Sequence, residues 1–156
     1  MTIRDWLEGL SYKLVQGSLD VEVNEVVYDS RKAAPGAVFV CMKGTKIDSH
    51  DFVGQVTDAG VKVLVTEHAV EAPADVTVVE TANGREALAL LSAARFGYPS
   101  RKLTMIGVTG TKGKTTTTHM IKTILETAGK KTGMIGTNGV YIGEEHFPTV
   151  NTTLES

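Results

Sequence analysis

Two glycines, two lysines and a run of threonines lie close together in residues 109–118 and could bind a phosphate group. Gly110 and Gly113 would let main-chain N–H groups approach an anion, because glycine has no Cβ and adopts positive φ at little cost. Lys114 could place its charge on the β- and γ-phosphates of a nucleotide, and the hydroxyl of Thr115 could ligate Mg²⁺. These residue types, in this order, predict an ATP site.

A strand before this loop and a helix after it would hold the groups in place. Residues 103–108 form an apolar, β-branched run that predicts the strand. Apolar residues recur at helical spacing after the loop and predict an amphipathic helix beginning near Lys114, with its apolar face formed by Met120, Ile121, Ile124, Leu125 and Ala128. The N-terminus of that helix would offer unpaired N–H donors and a positive dipole end to the anion. Threonine is a mediocre helix former, so four of them at a helix start suggest a role for their hydroxyls.

The loop departs from the general phosphate-loop pattern, which has glycine at the position of Val108. Gly107 lies one place too early for that pattern. The alternative is a glycine-rich turn between a strand and a helix, and a Gly-Lys-Thr tripeptide alone also occurs by chance. The flanking elements and the glycine at position 110 favour phosphate binding.

Composition narrows the class of protein. The chain has 156 residues, of which 42% are hydrophobic and 22% are charged, and its net charge is −2. These values are typical of a globular protein and do not indicate a nucleic acid partner. No apolar run approaches the roughly 18 residues of a membrane span, so we expect no membrane insertion and a cytoplasmic location.

The cysteine and the histidines disfavour other chemistry. Cys41 is the single cysteine, which excludes an internal disulfide, and its apolar neighbours predict that it is buried. The four histidines are scattered, without the H-E-x-x-H spacing, and this disfavours zinc catalysis.

Strands and helices alternate along the first hundred residues, which predicts an α/β fold. An amphipathic helix begins the chain with Ile3, Trp6, Leu7 and Leu10. Strands are predicted over residues 21–28, 37–42, 61–66 and 76–79, and helices over residues 52–59 and 85–96. A polar break at residues 99–102 then predicts a boundary between a small N-terminal domain, residues 1–100, and a second domain that begins at residue 103. That second domain would continue after its helix with a strand at residues 131–137, which Val140-Tyr141-Ile142-Gly143 and a charged turn follow.

Several motifs together resemble the Mur ligase family. Thr109-Gly110-Thr111-x-Gly113-Lys114-Thr115-Thr116 resembles the ATP loop of the Mur ligases and of folylpolyglutamate synthetase, with Lys112 where the family usually has Asn. The series Asp29-Ser30-Arg31, Pro35-Gly36, Phe39-Val40, Gly44 and Asp48-Ser49-His50-Asp51-Phe52 resembles the first domain of the MurE and MurF branches, with Ser49 replacing a glycine. Asn151-Thr152-Thr153-Leu154-Glu155 resembles the Asn-Thr-Thr-Pro-Glu segment of MurE, with Leu154 in place of proline, and Gly136-Thr137-Asn138-Gly139 also fits that branch.

This resemblance implies a three-domain cytoplasmic ligase of peptidoglycan synthesis, with the start of a P-loop central domain following the N-terminal domain. ATP, with Mg²⁺, would phosphorylate the D-glutamyl carboxylate of UDP-MurNAc-L-Ala-D-Glu. The amine of a diamino acid would then attack the acyl phosphate. Which diamino acid is added, meso-diaminopimelate, L-lysine or another, is left open. The alternatives are another Mur ligase such as MurF and a non-catalytic module that binds UDP-sugar or ATP.

The resemblance also implies a set of site residues. Lys114 would be catalytic, Thr115 would ligate Mg²⁺, and ATP would contact Gly110, Thr111, Lys112, Gly113, Lys114, Thr115 and Thr116. The uracil and ribose would contact Tyr28, Ser30, Thr45, Lys46 and Ile47, and the muramoyl-dipeptide would contact Asn151, Thr152 and Thr153. Simpler interpretations stay open: a local turn at Asp29-Ser30, a solvated charge at Lys46, and a strand end at Thr152-Thr153.

The second domain has few residues for its predicted fold. Residues 103–156 would supply one strand, one helix and a second strand, which cannot cover both faces of a parallel sheet. We therefore expect an N-terminal fragment that is inactive alone and exposes apolar positions such as Ile106, Val108 and Ile135.

Overall fold

The computed structural model describes residues 1–45 and 47–148, and the chain divides into two compact units, Met1–Leu103 and Thr104–Ser156. The first unit contains a five-stranded sheet in the order β1-β5-β4-β3-β2. The strands are β1 (Lys13–Gln16), β2 (Glu25–Val27), β3 (Ala37–Val40), β4 (Val63–Thr66) and β5 (Thr77–Glu80). Strands β2 to β5 are parallel, and β1 joins β5 as an antiparallel edge strand.

Helices cover both faces of this sheet. The helices are α1 (Ile3–Trp6), α2 (Val53–Asp58) and α3 (Gly84–Arg95). Val38 and Val40 of β3 pack in one core with α1 and α3, whereas Phe39 packs in a second core with α2. Successive strand residues point to opposite faces, so a run that is apolar at every position is buried on both sides. The predicted α/β fold is confirmed.

The N-terminal segment differs from the prediction in one element. Residues 13–16 form the edge strand β1, which was not predicted from the sequence. Leu14 and Val15 remain exposed there, so β1 lacks the alternation that identifies a half-buried strand. Its pairing with β5 defines it, and that pairing joins residues more than 60 positions apart.

The second unit contains a helix and a small antiparallel sheet. Helix α4 spans Lys114–Thr127, and the sheet has the order β6-β7-β8, formed by Gly133–Gly136, Gly139–Ile142 and Glu145–Phe147. Strand β8 was not predicted, since it is short and its residues are exposed. Met134 is buried, whereas Ile124 of α4 is 67% exposed and Ile135 of β6 is 60% exposed.

The strand predicted at residues 103–108 is wrong. Those residues have no strand assignment, and within the described part of the chain they pair with no strand. A β-strand needs a neighbour for its N–H and C=O groups, and β6 pairs with β7 instead. The predicted exposure of Ile106 and Ile135 is confirmed, whereas Val108 is half-buried. Across the described residues, no helix combines the length and apolar character needed to cross a bilayer.

Candidate nucleotide-binding sites

The glycines of residues 109–116 adopt the backbone conformation that a phosphate loop requires. Gly110 has φ +146° and Gly113 has φ +80°, which are conformations that other residues rarely adopt. Gly113 is the N-cap of α4 and supplies no side-chain cap, and its carbonyl accepts the N–H of Thr117. The first N–H groups of a helix have no partner within the helix, so this end of α4 can donate to an anion.

Lys114 and Thr115 lie beside a cavity in the second unit. The ammonium of Lys114 donates to the carbonyl oxygen of Gly110 at 2.5 Å, which holds its charge at the loop. A cavity of about 280 Å³ adjoins both side chains, and its remaining lining is Val108, Thr118, His119 and the segment from Met134 to Gly139. The loop therefore faces a cavity that is partly open to solvent, with hydroxyl, ammonium and amide groups at its wall.

The threonines at the start of α4 differ in how their hydroxyls are bonded. Thr118 donates its hydroxyl to the carbonyls of Lys114 and Thr115, at 3.1 and 2.9 Å, and so serves the helix itself. Among the described residues, no hydrogen-bond partner is found for the hydroxyls of Thr115 and Thr116. A hydroxyl oxygen is a hard ligand of the kind Mg²⁺ prefers, so half-buried Thr115 at the cavity fits the predicted metal contact.

Thr111 and Lys112 lie at the exposed tip of the same loop. In the described part of the chain, no ion pair or hydrogen bond is found for the side chain of Lys112. Its predicted contact with ATP stays a prediction.

A ring stack beside the cavity was not predicted from the sequence. The rings of Tyr141 and His146 stack at 4.4 Å, and His119 meets Tyr141 edge-on at 5.4 Å. Nε2 of His146 lies 2.7 Å from the carbonyl oxygen of Asn138. Strand register brings these residues together, since Tyr141 of β7 pairs with His146 of β8, and β8 gave no signal in the sequence.

In the first unit, the predicted uridine contacts lie at one edge of the sheet. Tyr28 and Ser30 follow β2, and Thr45 and Ile47 follow the neighbouring strand β3. Ligands of parallel sheets bind at this edge, outside the carboxyl ends of the strands. Tyr28 is 37% exposed and Ile47 is 63% exposed. Among the described residues, the hydroxyls of Tyr28, Ser30 and Thr45 have no hydrogen-bond partner.

Asp29 and Arg31 form the turn that presents Ser30. Asp29 caps the 3-10 helix Ser30–Lys32 by accepting the N–H of Arg31, and the guanidinium of Arg31 also donates to both carboxylate oxygens. These bonds lower the pKa of Asp29 to about 2. The turn interpretation therefore holds for Asp29, whereas the Ser30 hydroxyl is left available.

Short-range bonds also shape the loop after β3. Lys43 and Asp48 pair as an antiparallel bridge, and the N–H of Gly44 donates to the carbonyl of Ile47 at 2.9 Å. A Cβ at Gly44 would lie 2.7 Å from that carbonyl oxygen, so glycine is required there. Ser49 accepts the N–H of Met42 and donates to its carbonyl, which closes the base of the loop.

A histidine pair next to this loop was missed by the sequence analysis. His50 is 7% exposed and its ring stacks on the ring of His68 at 3.9 Å, with Asp48 beside both. Ligand atoms of these three side chains lie within 4.8 Å of one another, which is the spacing of a metal site. The two histidines are 18 positions apart and come together because β3 and β4 are neighbours.

The hydrogen bonds of His50 do not fit a metal ion. Its Nε2 accepts the main-chain N–H of Glu67 at 2.9 Å, so the proton of the neutral ring is on Nδ1, which donates to Asp48 at 2.5 Å. A metal on Nδ1 would shift that proton to Nε2, where it would face the N–H of Glu67. The hydrogen bond from His50 Nδ1 also lowers the pKa of Asp48 below its ordinary value.

Cys41 is fully buried beneath this loop, as predicted. Burial raises the pKa of its thiol to about 12, and the charges of Asp48 and Glu67 act in the same direction. The group is a packing residue. The predicted contacts of Lys46, Asn151, Thr152 and Thr153 lie outside the described residues and stay predictions.

Two family models match this chain in sequence order. One is described as the Mur ligase family, catalytic domain, and matches residues 22–96. The other is described as the Mur ligase middle domain and matches residues 108–156. Together they include both candidate sites.

Curated relatives are similar over nearly the whole chain. A UDP-N-acetylmuramoyl-L-alanyl-D-glutamate--2,6-diaminopimelate ligase of Clostridium perfringens is 43% identical over 156 residues, all of this chain and 32% of that protein. The enzyme of the same name from Geobacillus thermodenitrificans is 45% identical over 140 residues, 90% of this chain and 28% of that protein. The chain thus spans about a third of the length of the curated relatives it matches.

Solved structures are also similar. A structure of UDP-N-acetylmuramoyl-L-alanyl-D-glutamate--2,6-diaminopimelate ligase matches with a TM-score of 0.72 and 17% identity, over 99% of this chain and 31% of that one, which supports the fold. MurF from Thermotoga maritima in complex with ADP matches with a TM-score of 0.52 and 26% identity, over 70% of this chain and 24% of that one.

Proposed function

Because this chain belongs to the Mur ligase family, we propose that it is the nucleotide-binding part of an ATP-dependent ligase that joins a diamino acid to UDP-MurNAc-L-Ala-D-Glu. The names of the relatives support this substrate and point to 2,6-diaminopimelate as the amino acid. The D-glutamyl carboxylate would be converted by ATP to an acyl phosphate, from which the incoming amine displaces phosphate. The nucleotide-linked substrate and ATP favour a cytoplasmic location.

The phosphate loop is the observation that carries the proposal. Positive φ at Gly110 and Gly113, the uncapped start of α4 and the ammonium of Lys114 form one anion-binding surface. Phosphoryl transfer depends on positioning and on neutralising charge more than on covalent chemistry by the protein. Lys114 would orient and neutralise the β- and γ-phosphates, and the loop N–H groups would hold them. An ADP complex is named for the Thermotoga maritima neighbour, in agreement with this role.

Mg²⁺ would be held in part by Thr115. Its hydroxyl borders the cavity beside Lys114, and Mg²⁺ there would offset the charge of the phosphoryl groups. Thr111, Lys112 and Thr116 would complete the ATP contacts. At the sheet edge of the first unit, Tyr28, Ser30, Thr45, Lys46 and Ile47 would bind the uridine end, and Asn151, Thr152 and Thr153 would bind the muramoyl-dipeptide.

Lys114→Ala tests the assignment in the gene product that carries this chain. Ligation should fall by a factor of about 100 or more, because one pre-positioned charge on the phosphates is lost. Binding of UDP-MurNAc-L-Ala-D-Glu, measured by calorimetry, should stay within about threefold, since the proposed contacts of its uridine end lie in the other unit. Lys112→Ala is the matched control, because this lysine is at the exposed tip of the loop. Ligation should fall less in Lys112→Ala than in Lys114→Ala. Full turnover by Lys114→Ala would contradict the phosphate-loop assignment.

A further inference from the structure

Asp48, His50 and Glu67 link three loops at the carboxyl edge of the first sheet, and we name these three residues the brace. The carboxylate of Glu67, which follows β4, accepts the N–H of Lys43 at 2.9 Å and the N–H of Gly84 at 2.8 Å. Lys43 lies after β3, and Gly84 begins α3 after β5. One side chain thus joins the ends of three adjacent parallel strands.

His50 completes the connection from the other side. Its Nε2 accepts the N–H of Glu67 at 2.9 Å, and its Nδ1 donates to Asp48. Asp48 also accepts the N–H of His50, at 3.0 Å. The ring is almost fully buried, so these polar atoms would be costly to leave without partners. The brace is therefore a satisfied network with one arrangement of donors and acceptors.

The brace fixes both ends of a very short loop. Lys43 and Asp48 pair across its base. Asp48 is a member of the brace, and the N–H of Lys43 donates to Glu67 of the brace. Thr45 and Ile47 lie between these two ends and are exposed. A main-chain hydrogen bond between Gly44 and Ile47 closes the turn. Any shift of Lys43 or Asp48 would therefore also move Thr45 and Ile47. The brace itself is placed on the β4 side of this loop, away from Ser30 on the β2 side.

We propose that Asp48, His50 and Glu67 are positioning residues that set Thr45 and Ile47 for contact with the uridine end of the substrate. This inference rests on the proposed function, because it takes the edge beside β2 and β3 as the uridine site. The brace does not touch the nucleotide. It lowers the cost of ordering the loop when the nucleotide binds, which is how pre-organisation raises affinity.

Calorimetric titration of the chain with UDP-MurNAc-L-Ala-D-Glu tests the inference through two substitutions at one position. His50→Phe keeps a ring against His68 but loses both ring hydrogen bonds, and affinity should fall by about tenfold or more. His50→Gln keeps one acceptor and one donor, and it should restore affinity to within about threefold of the original. Equal losses in the two variants, or no loss in folded His50→Phe, would overturn the inference.

Two further measurements separate positioning from general damage. Hydrogen exchange of the Gly44 amide should speed up in His50→Phe, whereas amides of β4 should be unchanged, since only the loop is released. His68→Ala is the matched control, because it removes the stacked ring but leaves all bonds of the brace, and it should bind within about twofold. Unchanged exchange at Gly44 in His50→Phe would count against the inference.

Glu67→Gln keeps the inference testable if His50→Phe does not fold. The amide can accept only one of the two N–H groups, so binding should weaken by several-fold, whereas Glu71→Gln at an exposed position should have no effect. Unaltered binding by Glu67→Gln would overturn the inference.

Ser30→Ala identifies failure of the proposed function: if the unsubstituted chain and Ser30→Ala both fail to bind, the uridine site is wrong and the inference falls with it. Weaker binding by Ser30→Ala, with full binding by the brace variants, would overturn the inference alone.

Discussion

At the scale of single residues, adjacent side chains in one motif have different tasks. The carboxylate of Asp29 accepts hydrogen bonds from the N–H and the guanidinium of Arg31, and these local bonds fix the turn. Ser30 follows directly, and in the described part of the chain its hydroxyl has no partner. The same division occurs in α4, where the hydroxyl of Thr118 bonds back to the helix, whereas no partner for the hydroxyl of Thr115 is found among the described residues. A motif residue is a candidate ligand contact when the fold leaves its polar atoms unused.

The pKa of Asp29 gives a prediction at this scale. Arg31 donates to the carboxylate and lowers its pKa from 3.8 to about 2 in the folded chain. Because the folded pKa is depressed, the interaction stabilises the first unit at pH values above about 4 and is lost as the pH falls toward 2. In Arg31→Gln, the NMR titration midpoint of Asp29 should rise toward 3.8. Lys32→Gln should move it much less, because Lys32 acts only at longer range. An unchanged midpoint in Arg31→Gln would contradict this cause.

At the scale of elements, α3 connects the core to the sheet edge that presents the brace. Asn83 caps its N-terminus by accepting the N–H groups of Arg85 and Glu86, and Glu67 binds the N–H of Gly84. Leu91 is fully buried in the core on that face of the sheet, together with Ala87 and Ala94. Packing of this helix therefore determines where its N-terminal turn lies. The core and the Glu67 contact at the sheet edge thus share one helix.

Leu91→Ala tests the contribution of that packing. Removing a fully buried leucine should lower the free energy of unfolding of the first unit by about 2–5 kcal/mol, through lost burial and the cavity it leaves. Denaturant unfolding can be followed by the fluorescence of Trp6, the single tryptophan, which lies in the same core. Leu90→Ala is the matched control, since Leu90 is only partly buried, and it should cost clearly less. An equal drop in the free energy of unfolding in the two variants would show that burial of Leu91 is not the source of its contribution.

At the scale of the whole chain, the two units differ in how much apolar surface they bury. The first unit has two cores, one on each face of its sheet. Of the described residues beyond 103, Met134 and Gly139 are the buried ones, and Met105 and Ile124 are 70% and 67% exposed. Buried apolar area is the main source of stability, so the second unit should be the less stable of the two.

Hydrogen exchange should reveal this difference. Amides of β3 and β4 should exchange only through global unfolding of the first unit, whereas amides of α4 and β7 should exchange much faster. Adding Mg²⁺ and ADP should slow exchange at the start of α4, because a ligand stabilises the state it binds. Similar protection in both units would contradict the prediction from buried area.

The sequence by itself determined the features that depend on neighbouring residues. It predicted the permissive glycines at positions 110 and 113, the start of α4, the buried strands β3 and β4, and the α/β class, because spacing and residue type encode local conformation and burial. Tertiary structure decided which segments pair. Residues 103–108 have strand-like composition but no partner strand among the described residues, whereas exposed β1 and β8 are strands because β5 and β7 pair with them. The brace is also invisible in the sequence, since His50, Glu67 and Gly84 are separated along the chain and meet only where parallel strands end side by side. Contacts of this kind depend on the register and order of strands, which no local pattern specifies.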